Sequence, residues 1–167
     1  MDFSVTHHFA HDPEAVVAAL LDQDFQRSLS DVESLKERHL ESQEERDDGA
    51  VVRRTRCVLD VELPSAARRF IGNGDPAWIE EAVWHPQEHR WTWVVIPEIG
   101  GDLLEAEGHI EITAENGGTE RVVSGRVKVN VPIYGGRVEG WIVDGIEHAY
   151  AEEAERLDQW IAQRENP

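Results

Sequence analysis

A chain of 167 residues, 40% hydrophobic and 30% charged with six Trp, is long enough to bury one sizeable core and too apolar to be a disordered tail. Acidic residues outnumber basic ones 34 to 16, for a formal net charge of -18. Such a surface repels phosphate backbones and anionic lipids, so nucleic acid is not an expected partner and the bland reading is a soluble, self-repelling exterior. A lone cysteine, Cys57, leaves no disulfide framework and no multi-cysteine zinc site, which fits a reducing cytoplasm.

The opening MDFSVTHHFAHD lacks a basic segment followed by an apolar core, and no apolar run approaches the roughly 18 residues of a membrane helix. The expectation is a cytoplasmic chain without targeting signal or membrane insertion, folded as one domain over residues 1–167.

Residues 2–9 place Phe3, Val5, His7 and Phe9 on one face and Ser4, Thr6 and His8 on the other, the alternation of a half-buried strand. His11-Asp12-Pro13-Glu14 then supplies a capping residue, a proline for the first helical position and an acidic first turn ahead of AVVAALLDQDF. A helix of about three turns is predicted there, followed after a short break by a further turn or two over residues 25–30. Residues 35–48 are charged and weakly alternating, and read as an edge strand.

From Ala50 the alternation sharpens: Val51, Thr55, Cys57, Leu59, Val61 and Leu63 share a phase up to Pro64. The Gly- and Pro-containing segment 64–76 reads as a loop with one helical turn, a candidate lid, in which Arg68 and Arg69 are placed to hold a ligand carboxylate at a pocket mouth or simply to stand in solvent. Strands follow over residues 77–84, 90–96, 103–113 and 121–131. Asn116-Gly117-Gly118 is the hairpin turn between the last two, and His85-Pro86-Gln87-Glu88-His89 the turn between the first two.

The final strand stops at Pro132, which cannot donate to a ladder, and Gly135-Gly136 frees the backbone to turn. Beyond it Val138, Ile142, Ile146, Ala149, Tyr150, Leu157, Trp160 and Ile161 fall on one broad arc at 100° per residue, opposite Asp144, Glu147, His148, Glu155 and Asp158. A helix of about seven turns is predicted, one-sided enough to need a broad apolar sheet beneath it.

Two polar groups stand out within these patterns. His7 lies on the apolar face of the first strand, either as a core histidine with a satisfied hydrogen bond, the commoner situation, or as a group titrating near neutral pH. Glu153 projects into the middle of the helix's apolar arc, where a carboxylate must pair, take a proton or meet a polar ligand group. Arg53, in phase with Thr55 and Cys57, is the expected partner. Trp91 and Trp93 share a strand face and serve either cross-strand packing or a pocket wall. Cys57 reads as a small buried hydrophobe. Of the histidines, His7 and His8 point to opposite faces, so His7, His8 and His11 do not converge as metal ligands. No metal and no cofactor is expected.

The element order, the DPEAVVAALLD helix after a strand ending HHFAH, the tryptophan hairpin VWHPQEHRWTW and the passage VPIYGGRVEGWI into a terminal helix together resemble the START-like or SRPBCC superfamily, which includes Bet v 1-type proteins and polyketide cyclases. The resemblance covers nearly the whole chain and carries no catalytic motif. It implies an α+β helix-grip fold: a curved antiparallel sheet wrapped around a long C-terminal helix, two short helices after the first strand, and a cavity between sheet and helix. It also implies an apolar small-molecule partner such as a lipid, sterol or polyketide. His7, Thr55, Trp91, Trp93, Ile142, Ile146 and Glu153 are then the candidate ligand-facing residues. The alternatives are a cyclase or dehydratase using His7 and Glu153 as acid and base, and a protein-interaction module whose core is filled.

Overall fold

The computed structural model describes residues 1–165 apart from 34, 61–64, 66–67, 70–71, 73 and 99. β1 (Asp2–Phe9) leads into α1 (Pro13–Leu21) and α2 (Gln23–Ser28). Six further strands follow in hairpin succession: β2 (Leu35–Glu45), β3 (Val51–Leu59), β4 (Ala77–His85), β5 (Arg90–Pro97), β6 (Leu104–Glu115) and β7 (Gly118–Val129). The chain ends in α3 (Gly135–Glu165), 31 residues long. The strands form one antiparallel sheet in the order β1-β7-β6-β5-β4-β3-β2, so β1 pairs with the last strand, and β1 and β2 are the edges. This is the helix-grip fold.

Local chemistry explains the corners. Asp12 caps α1 by accepting from Ala15 N at 2.8 Å, with Pro13 at the first helical position. The break between the two short helices falls a little earlier than expected, at Asp22, whose extended backbone ends α1 while its carboxylate caps α2 through Asp24 N (2.8 Å) and Phe25 N (3.4 Å). The carbonyls freed at that break are taken up by side chains: Leu20 O accepts from Gln26 Nε2 and Arg53 Nη1, both at 2.9 Å, and Leu21 O from Gln43 Nε2 at 2.6 Å. The Asn116-Gly117 turn has φ of 47° and 82°, as a tight hairpin requires. β7 starts earlier and stops earlier than predicted. The predicted continuation of β3 through Val61 and Leu63, and residues 64, 66, 67, 70, 71 and 73 of the candidate lid, lie outside the described residues. Arg68 and Arg69 are described and exposed.

One close approach requires two glycines in the sheet. Trp93 stands in register with Gly108, and Gly108 with Gly125, so the Trp93 indole lies across both glycines. A Cβ at either position would sit 2.5 Å from Trp93 Cζ2, and at Gly125 also 2.8 Å from Glu107 O. Gly125→Ala is therefore expected to lower stability by about 1–3 kcal/mol through overpacking. Urea unfolding measures it, and an alanine variant as stable as the parent would contradict this packing.

α3 is fastened at its two ends. At its start, Gly135 sits where an added Cβ would run into Val129 O, and Glu139 Oε1 accepts from Val129 N at 2.9 Å. Ile133 just before it takes a φ of 70° and is almost fully exposed. Toward its end Leu157 and Ile161 are buried, Trp160 packs edge-on against Phe25 with ring centroids 5.5 Å apart, and Arg156 reaches Asp31 at 2.5 Å and Ser28 O at 3.2 Å. His11 adds contacts to Asp158 (3.3 Å) and Glu165 (3.2 Å). Between these anchorages Ile142, Ile146, Ala149 and Tyr150 face the sheet yet are only half-buried. That is the signature of a helix held over a space.

Candidate functional site

The space is a cavity of about 170 Å³ between the middle of α3 and the concave face of the sheet, far more than the roughly 10–15 Å³ a single water needs. Ile142, Ile146, Ala149 and Tyr150 form its roof, and Trp91, Trp93, Val95, Ala106 and Ile110 much of its floor. Leu20, Leu29 and Val32 close the side next to the short helices. This is an apolar concavity with a few convergent polar groups, the usual form of a small-molecule site.

Those polar groups are Arg38, Arg53, Glu80, Tyr150 and Glu153. Arg53 and Glu80 are inward for a reason of register: Arg53 shares the phase of Thr55, Cys57 and Leu59 on β3, and Glu80 that of Trp78, Ala82 and Trp84 on β4. Arg53 lies 4.7 Å over the Trp91 ring and donates to Leu20 O at the C-terminal, electronegative end of α1, while its Nε is buried without a partner among the described residues. Arg38 donates to Gln26 O (2.7 Å) and Gln26 Oε1 (2.8 Å). Neither arginine forms an ion pair with Glu80, and burial pushes the Glu80 carboxyl above its usual range, against the pull of Arg53 and Arg38. Burial, reinforced by Glu80 and Glu153, likewise raises the Tyr150 phenol well above its ordinary value.

Glu153 is in a different state. Burial would raise its carboxyl, but Arg121, with Arg38 and Arg53, outweighs burial and holds it below the ordinary value. Its partner is Arg121 rather than the expected Arg53, at 2.5 Å from Nη1. Arg121 is fully buried between the Phe9 and Tyr150 rings, each 5.5 Å away, and its Nη2 also reaches Tyr150 O (3.0 Å) and His7 Nδ1 (3.3 Å). The signal for this partner was present in sequence, since Arg121 shares the inward phase of Val123 and Val127.

Of the sequence candidates, the structure places Trp91, Trp93, Ile142, Ile146 and Glu153 on the cavity wall, and not His7 or Thr55. His7 stands opposite Arg121 on the edge strand, and the guanidinium fills the space between it and Glu153. Burial, then the Arg121 cation, lowers His7 to about 4, so it stays neutral at physiological pH. His7 and Glu153 share one arginine instead of flanking an open site, which argues against their use as an acid–base pair on a bound ketone. Thr55, with its short side chain, is buried in register between Leu40 and Glu80, and its hydroxyl has no partner among the described residues. Burial raises the Cys57 thiol to about 12, far from thiolate chemistry. On the outer surface His8, 3.0 Å from Glu115, groups with Glu120 instead of with His7 or His11.

The sequence matches the family described as protein of unknown function (DUF2505) over residues 4–161. The chain belongs to this family. No curated protein matches it. Among solved structures, this DUF2505 chain is similar to a protein of Thermus thermophilus (16% identity, TM-score 0.69, covering 98% of this chain and 99% of that one). It is similar to the Zhui aromatase/cyclase of a Streptomyces species (9% identity, TM-score 0.67, 98% and 94%). A START superfamily protein of Mycobacterium smegmatis is similar as well (19% identity, TM-score 0.59, 97% and 97%). These likenesses show a START-like fold. Among the described residues no helix is long and apolar enough to cross a membrane.

Proposed function

We propose that this DUF2505 protein, read as one ligand-binding domain, carries or sequesters an apolar small molecule in the cavity between the sheet and α3. The observation that carries the reading is the middle of α3. Ile142, Ile146 and Ala149 face inward from a helix anchored at both ends, yet stand over space instead of packing at the density of a protein interior. Filling that space with an apolar ligand removes their surface from water at about 25 cal/mol per Å². Similarity of fold to a START superfamily protein and to an aromatase/cyclase supports a site at this position.

A neutral apolar fluorophore, N-phenyl-1-naphthylamine, tests this. Saturable uptake at one site per chain is expected, with Ala149→Phe, which projects a ring into the cavity, weakening it at least tenfold while circular dichroism is unchanged. Absence of saturable uptake, or equal uptake by the Ala149→Phe variant, would overturn the reading and favour a filled core.

A further inference from the structure

The cavity's polar lining is unusual in a chain whose formal net charge is -18. Among the described residues on its wall, Arg38 and Arg53 face two carboxylates, Glu80 and Glu153. Glu153 is already answered by Arg121 from behind the wall. What remains toward the cavity is two cations against one carboxylate, an excess of positive charge inside a strongly acidic protein.

The hydrogen-bonding inventory points the same way. Among the described residues the Arg53 side chain makes one hydrogen bond, from Nη1 to Leu20 O, and its guanidinium lies 4.7 Å over the Trp91 ring. An arginine presents five N–H donors and no acceptor, so most of the Arg53 donors have no acceptor among those residues. The Glu80 carboxylate makes no hydrogen bond to any described residue. On the paired strands it stands opposite Thr55, one inward position along from Arg53, so the two groups are diagonal neighbours on one sheet face. They do not close on each other as an ion pair. A group that accepts from Arg53 and shares a proton with Glu80 completes both.

We propose that the occupant of the cavity is an apolar monocarboxylate, its carboxylate lodged at Arg53 and Glu80 with Arg38 behind, and its hydrocarbon or aryl body running along Trp91, Trp93 and the Ile142–Ile146 face of α3. The inference rests on the apolar-binding reading and adds the chemistry of the ligand's head. Arg53 supplies a charge-assisted bond, bidentate where the ligand presents both oxygens. Glu80, whose carboxyl burial already inclines toward the protonated form, supplies a donor once it holds its proton. An alcohol or hydrocarbon of the same body lacks the charge that answers Arg53.

The experiment uses the whole chain and a matched pair of probes, decanoate and decan-1-ol, each displacing N-phenyl-1-naphthylamine at pH 8. Decanoate is expected to bind at least tenfold more tightly than decanol, about 1.4 kcal/mol. Arg53→Met is expected to erase that preference by weakening decanoate at least tenfold. Glu80→Gln, which keeps volume and a donor but removes the carboxylate, is expected to bind decanoate as tightly as the parent or more so. Because the preference is read first on the unaltered protein, a misfolded Arg53→Met variant does not decide the matter. Equal affinity for acid and alcohol would overturn the carboxylate assignment and leave the apolar-binding reading standing. Failure of both probes to displace a bound fluorophore would overturn the carboxylate assignment alone, and failure of the fluorophore to bind at all would overturn the two together.

Discussion

Arg121→Met is expected to lower the unfolding free energy by about 3–5 kcal/mol, the cost of stranding a buried charge. Arg121 is fully buried and is the sole ion-pair partner of Glu153 among the described residues, and it also holds Tyr150 O and His7 Nδ1. Taking it away leaves Glu153 facing an apolar cavity with only the more distant Arg38 and Arg53 to stabilise its charge. Replacing both partners, as Arg121→Met with Glu153→Met, removes the stranded carboxylate and is expected to recover most of the loss. Urea denaturation of the two variants separates the cases. A single variant within about 1 kcal/mol of the parent would mean that the pair does not bind α3 to the sheet.

The second large effect is a fall in stability on mild acidification that depends on His7. In the unfolded chain this imidazole takes a proton near its ordinary 6.5, whereas in the fold burial, assisted by the Arg121 cation, lowers it to about 4. Between those values the unfolded state binds more protons than the native state, so stability drops as pH is lowered from about 6.5 toward 4. The full difference is at most roughly 3 kcal/mol, and smaller to the extent that solvent screens the half-buried ring. Glu80 works in the opposite sense, because a raised carboxyl favours the folded state as it protonates, and Glu153, held low, adds its loss only below its ordinary 4.5. The readout is therefore the difference between the parent and His7→Asn. The parent is expected to lose more stability than the variant across that window, and parallel profiles would show that His7 is solvated like an ordinary histidine.

Much of the fold was written in local signals. Asp12-Pro13, the Asn116-Gly117 turn, the alternation of β3 and the one-sided arc of α3 each sit in short stretches whose physics does not depend on the rest of the chain. The exact place of the break between the two short helices, at Asp22, was harder to read than its existence. An aspartate in a run with helical apolar spacing looks like a surface residue until its carboxylate is seen capping the next helix.

The site was legible only in part. Alternation and helical phase say which side chains point inward, and that sufficed to bring Trp91, Trp93, Ile142, Ile146 and Glu153 to one cavity. The same rule marks Glu80 and Arg121 as inward, but a charged residue in an inward phase reads as a strand end or an exposed exception unless its partner is known. Partners are set by how α3 crosses the sheet, which pairs Glu153 with a residue 32 positions away instead of with Arg53. His7 illustrates the same limit, since its phase places it inside while its distance from the cavity is set by the length of the Arg121 side chain between them. Nor does phase reveal whether inward residues meet: the half-buried state of Ile142, Ile146 and Ala149 is a property of the gap beneath a helix fastened at both ends.

Native mass spectrometry of the protein purified gently from its own host tests the central claim most directly, with denaturing extraction to identify whatever is released. A stoichiometric adduct of an apolar small molecule is the expected result. A chain that arrives empty and also refuses neutral apolar probes at saturating concentration would contradict it.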